Sequence, residues 1–131
     1  MELYQSHTNA KMAKAITLIS ERKYDDAVDM YLSAINDGSA IANYRLGILC
    51  HSKKQTTIPL PDCTNYLFQA AEMGYLNASI AIAFLYKEGI GVEKNEQISS
   101  EIMSSLYRGG LLWPGLCYFS SLFFHIFLKL F

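Results

Sequence analysis

Residues 21–35, ERKYDDAVDMYLSAI, decide the fold. Tyr24, Ala27, Tyr31 and Ala34 follow one another at spacings of three, four and three, with charged residues filling the gaps. At helical pitch these four positions share one side of the cylinder. The two alanines leave room for a neighbouring helix to come close, and the tyrosines fill the space beside it. A helix with such a side needs something to pack against, so the segment reads as one half of a repeated unit.

Reading outward from it, the repeat is visible. Gly38, Gly74 and Gly110 recur at intervals of 36, and the same interval carries Ala34 to Ala70, Ala42 to Ala78, Leu46 to Ile82, Leu49 to Leu85, and Tyr31 to Leu67 and Met103. A period of this length fits a pair of helices with their turns. The glycines fall where a helix must stop, because the residue past the last turn often takes a left-handed conformation that glycine adopts at little cost. The pattern predicts helices near residues 8–22, 25–36, 40–52, 62–73, 77–87 and 96–107, with Asp62, Asn77 and Asn95 as N-caps. Asp25, Asp26, Glu93 and Glu96 read as solvated helix starts, where carboxylates meet the positive end of the helix dipole. No run alternates strictly enough to argue for a strand.

The chain has 131 residues, 51% of them hydrophobic, enough for one domain with a core. A formal net charge of -1 and the lack of any long Lys/Arg run argue against nucleic acid as a partner. The opening MELYQSHTNA has no basic start followed by an apolar run, so a cytoplasmic location is expected for the body of the chain. Cys50, Cys63 and Cys117 are odd in number and far from any C-x-x-C spacing, which argues against a disulfide framework or a zinc site, while a single Cys50–Cys63 bridge stays open. His7, His51 and His125 show no metal-binding spacing. No metal or cofactor is expected.

The segment GIGV, residues 89–92, has the look of a phosphate loop, but a helical pattern precedes it and Lys94 stands where a third glycine belongs. It reads as a structural turn. Cys63 and His51 are a conceivable nucleophile and base, yet no local signature surrounds them and no orienting group can be assembled, so no enzymatic activity is expected.

Segments of this chain resemble a known superfamily. KYDDAVDMYLSAI is similar to the second half of a tetratricopeptide repeat, with Tyr24, Ala27, Tyr31 and Ala34 at its aromatic and small positions. FQAAEMGYLNA (residues 68–78) and ASIAIAFLYKEGIGVEKN (residues 78–95) resemble Sel1-like repeats, and the likeness covers roughly residues 10–110. The interval from Ala15 to Ala34 is 19, whereas Gly47 to Ala70 and Ala83 to Leu106 are both 23, so the later units have a longer connection between their helices. There are departures: Lys53 and Gln55 stand where the third unit has Gly89 and Gly91, Ala83 replaces the usual glycine, and Ser99 and Ser104 weaken the apolar side of the last helix.

The resemblance implies an all-α fold, a right-handed α-solenoid of about three antiparallel helix pairs whose first helices line a concave groove. It implies a non-catalytic adaptor or scaffold that binds a segment of a partner protein, in signalling, protein quality control or cell-surface biosynthesis. The groove-facing candidates for partner binding are Ile41, Tyr44, Ile48 and His51 from the middle unit and Ile80, Phe84 and Lys87 from the third. Some cysteine-rich Sel1-like proteins are linked to penicillin binding, but this chain lacks their paired cysteines and the link does not carry over.

After residues 1–110 the character changes to LLWPGLCYFSSLFFHIFLKLF, residues 111–131. The 16 residues from 116 to 131 fall short of the roughly 20 that span a bilayer, and His125 and Lys129 raise the cost of insertion. Three readings stay open: an apolar helix capping the repeats, a membrane anchor that makes the chain a membrane-tethered adaptor, or an abnormal end.

Overall fold

The computed structural model describes residues 2–52 and 57–108. Six helices follow in order: α1 (Glu2–Ser20), α2 (Tyr24–Asn36), α3 (Ala40–His51), α4 (Leu60–Glu72), α5 (Leu76–Glu88) and α6 (Glu96–Arg108). Among the described residues there is no strand, and the fold is all-α. Packing is strongest between helices that are neighbours in sequence, α1 on α2 through to α5 on α6. Lys53, Gln55, Gly109, Gly110 and the anticipated apolar C-terminal helix in residues 111–131 lie outside the described residues.

Three of the five connections are one device. Between α2 and α3 the Gly38 N–H donates to the Ile35 carbonyl at 2.8 Å, and the Ser39 N–H reaches back to the Ala34 carbonyl at 3.1 Å. Between α4 and α5 the Gly74 N–H donates to Ala71 at 2.9 Å and the Tyr75 N–H to Ala70 at 3.0 Å. Every donor and acceptor has moved by 36 positions, so the period seen in the sequence is also the period of the turns. Both glycines hold the left-handed backbone of a helix stop, φ 86° at Gly38 and 85° at Gly74. The α1–α2 turn has the same pair of bonds, Arg22 to Ile19 at 3.0 Å and Lys23 to Leu18 at 2.9 Å, with Arg22 in the glycine's place at φ 61°. An arginine gives no turn signal, which is why the sequence carries the first helix to Arg22 when it ends at Ser20. At the other end α1 starts at Glu2, earlier than expected, because Leu3, Gln5, Ser6 and His7 are exposed and the opening sequence shows no apolar period.

The α3–α4 and α5–α6 connections are longer, as the intervals of 23 against 19 require. Gly89 ends α5 at φ 68°, and the Asn95 side chain starts α6 by accepting from the Ile98 N–H at 3.0 Å. Gly91 between them lies against α3 and α4: a Cβ there would stand 2.5 Å from Thr64 Oγ1 and 3.3 Å from His51 Cε1. Of the expected caps, Asn95 acts as one, whereas Asp62 and Asn77 lie inside α4 and α5, whose N-cap positions are Pro59 and Tyr75. The tight turn explains Asn77: the residue after the glycine is already the cap. Ser39 does this for α3, accepting from the Ala42 N–H at 3.1 Å.

The core has two clusters that meet at α3. One joins Ala15, Tyr31, Ala34, Leu46 and Leu49 with Cys50 and Cys63, and the other joins Ile48 and Leu67 with Ala81, Ile82 and Leu85 of α5. Helices α3 and α4 approach closely at Gly47, where a Cβ would meet Leu67 Cγ at 2.6 Å and the Cys63 carbonyl oxygen at 3.1 Å. Ala15 and Ala83, at the matching place in the other units, are also buried. Along α6 only Ser99 and Leu106 are buried, and Ser104 is exposed.

Candidate interaction surface

Aligned on Ala15, Gly47 and Ala83, the first helices of the units present three matching rows: Met12, Tyr44 and Ile80; Ile16, Ile48 and Phe84; Ile19, His51 and Lys87. The first row is half-buried throughout, so its side chains are partly available to a partner. In the second row Ile16 is exposed, while Ile48 and Phe84 are buried, Ile48 because α5 packs over it. In the third row Lys87 is exposed and His51 is buried. Ile41, one turn before Tyr44, is 45% exposed. Of the seven expected contact residues, Ile41, Tyr44, Ile80 and Lys87 therefore offer surface, and Ile48, His51 and Phe84 are core side chains instead.

His51 is the clearest correction. Its Nε2 lies 3.2 Å from Thr64 Oγ1, and the Thr64 hydroxyl donates to the Leu60 carbonyl at 3.2 Å. With that proton committed, His51 donates from Nε2, and its Nδ1 is a buried acceptor without a partner. Burial pushes the imidazole below its ordinary 6.5, which keeps the ring neutral at neutral pH. Since the ring bonds to Thr64, it does not serve Cys63 as a base, and burial pushes the Cys63 thiol up, so only a small fraction is thiolate at neutral pH.

The structure adds residues that the repeat pattern did not single out. Asn43 Nδ2 donates to the Ser39 carbonyl at 3.4 Å and to Met73 Sδ at 3.7 Å, while its Oδ1 is buried without a partner. Its counterpart in the first unit is Lys11, whose Nζ meets Asp37 Oδ2 at 2.6 Å. The same link between a first helix and the following turn is an ion pair in one unit and an amide–thioether contact in the next. The rings of Tyr44 and Tyr75 stand 5.0 Å apart at 48°. Burial, then the neighbouring Tyr75, pushes the Tyr44 phenol up to about 12, so it stays protonated and can donate. Met73 is 50% exposed beside them.

Ile41, Tyr44, Met73 and Tyr75 thus gather where the start of α3 meets the α4–α5 turn, with the carboxamide of Asn43 beneath. A signal for this was available: Met73 and Tyr75 are apolar and aromatic where the preceding unit has Asp37 and Ser39 around its glycine. The arrangement suits apolar side chains and a hydrogen-bond donor, and it holds no acid–base pair. Among the described residues no cluster of three or more His, Cys, Asp or Glu could hold a metal, and no helix is long and apolar enough to cross a membrane. Compared with models of protein families and with curated protein sequences, the chain matches none.

Proposed function

We propose that this chain is a non-catalytic protein-interaction module of the Sel1-like and tetratricopeptide-like kind, a right-handed stack of three helix pairs that holds a segment of a partner protein along the faces of α1, α3 and α5. The observation that carries the reading is the row Met12, Tyr44 and Ile80, which recurs half-buried on the first helix of every unit, joined at α3 by exposed Ile41 and Met73. Partly exposed apolar side chains on neighbouring helices suit an extended or helical segment, which anchors a few apolar side chains and leaves its polar edge to water. The turns repeated at 36 residues support the stacking on which such a groove depends.

A photo-crosslinking amino acid tests the reading when placed at position 41 or 80, with position 69 on the exposed side of α4 as the control. Positions 41 and 80 are expected to trap the same polypeptide, with Tyr44→Ala weakening capture and position 69 trapping none. Equal capture from position 69 overturns the assignment of the face.

A second reading rests on the near-uniform apolar character of residues 111–131, which favours tethering the same module to a bilayer. The full chain is then expected to resist carbonate extraction while residues 1–110 wash free; equal release of both removes it.

A further inference from the structure

We propose that Cys50 and Cys63 form a dithiol that closes reversibly to a disulfide, joining the end of α3 to the start of α4 by exchange with a small disulfide of the glutathione class. Two contacts bracket the pair. On one side Gly47 lies so near Cys63 that an added Cβ would stand 3.1 Å from its carbonyl oxygen, and Cys50 follows Gly47 by one helical turn on the same side. On the other side His51 and Thr64, the next residue of each helix, are joined at 3.2 Å. The two cysteines belong to one core cluster, with Leu46 and Leu49 of α3. The Cys63 thiol also donates to the Ile58 carbonyl at 3.8 Å. The two sulfurs are not joined by a disulfide in this structure.

The exchange balances without any other reagent. Cys50, 8% exposed against 1% for Cys63, is the thiol that meets the reagent first. Its thiolate attacks one sulfur of oxidised glutathione, forming a mixed disulfide and releasing a glutathione thiolate. Cys63 then attacks the Cys50 sulfur, its proton leaves, and the second glutathione departs as a thiolate. Two protein thiols are oxidised and one glutathione disulfide is reduced to two thiols, which take up the two protons. The link closes a loop of 14 residues, 50–63, and reinforces the hairpin beside Gly91.

The test uses the full native chain in equimolar oxidised and reduced glutathione, quenched by acid, alkylated, and cut with trypsin without reduction. Cleavage after Arg45, Lys53 and Lys54 leaves Cys50 and Cys63 on different peptides. The expected result is a linked pair, two hydrogens lighter than the sum of the reduced peptides, that persists in Cys117→Ser. Its thermal midpoint should rise by roughly 5 °C over the reduced protein. In Cys63→Ala, Cys50 is expected to stop at the glutathione mixed disulfide and the rise to vanish. Recovery of both cysteines alkylated, a link that forms only in denaturant or goes to Cys117, or a link that leaves the midpoint unchanged overturns the proposal.

Discussion

His51 is 7% exposed and bears a buried ring nitrogen without a partner, so protonating it in place means charging a group that water cannot reach. The unfolded chain takes up a proton near the ordinary 6.5, and the folded chain takes it up only at lower pH. Stability is therefore full above about pH 6.5 and declines as pH falls through that value. The thermal midpoint is expected to drop between about pH 7.5 and pH 5.5, and His51→Gln to remove most of the drop. An unchanged pH profile in that variant would show that the loss arises elsewhere. Asp37 acts in a separate window. Its hydrogen bond from Lys11 holds the carboxyl below the usual 3.8, so its contribution is present above that value and is lost at more acid pH. Asp37→Asn should flatten that limb and leave the His51 region alone. Which residues offer surface was only half legible in the sequence. The spacing of Tyr44, Ile48 and His51 put them along one flank of α3, but how much of that flank α5 and the Gly91 turn cover depends on the distance between units, which spacing does not encode.

At the scale of elements, α2, α4 and α6 were legible from a strong apolar period and α3 and α5 from the 36-residue repeat, and two turns were legible because glycine marks them. The third was not, since Arg22 takes the left-handed backbone without glycine's signature. Arg22→Gly should relieve that conformation and stabilise the chain by about 0.5–1 kcal/mol, despite the added freedom of the unfolded state. Gly38→Ala and Gly74→Ala should each cost about 1 kcal/mol. Neither added Cβ meets an atom within 4 Å, so that cost comes from φ alone. Urea denaturation measures all three, and a destabilised Arg22→Gly would mean that the arginine side chain matters more than its backbone. Gly47 has a different reason to be small. Its backbone is helical, yet an added Cβ would meet Leu67 Cγ at 2.6 Å, so Gly47→Ala should cost about 1–3 kcal/mol by overpacking. Leu67→Ala should cost about 2–5 kcal/mol by leaving a cavity. Because the new methyl group fills part of that cavity, the double variant should lose less than the sum. Strict additivity would place the two effects in different parts of the structure.

In the whole molecule, contact runs mainly between consecutive helices, and this sets how stability is distributed. Where consecutive helices hold one another, an internal helix is packed on both sides and a terminal one on a single side, so the middle opens last. Helix α3 contributes to both core clusters, whereas α6 buries only Ser99 and Leu106. Native-state hydrogen exchange on the full chain is expected to show α6 and the first turn of α1 exchanging earliest and the middle of α3 and α4 latest. Leu67→Ala, in the cluster that joins α3, α4 and α5, should lower protection there more than in α1 and α2, because Ala15, Tyr31 and Ala34 belong to the other cluster. If the substitution lowered protection equally from α1 to α6, the six helices would be one cooperative unit with no gradient, and contact between consecutive helices would no longer account for how stability is distributed.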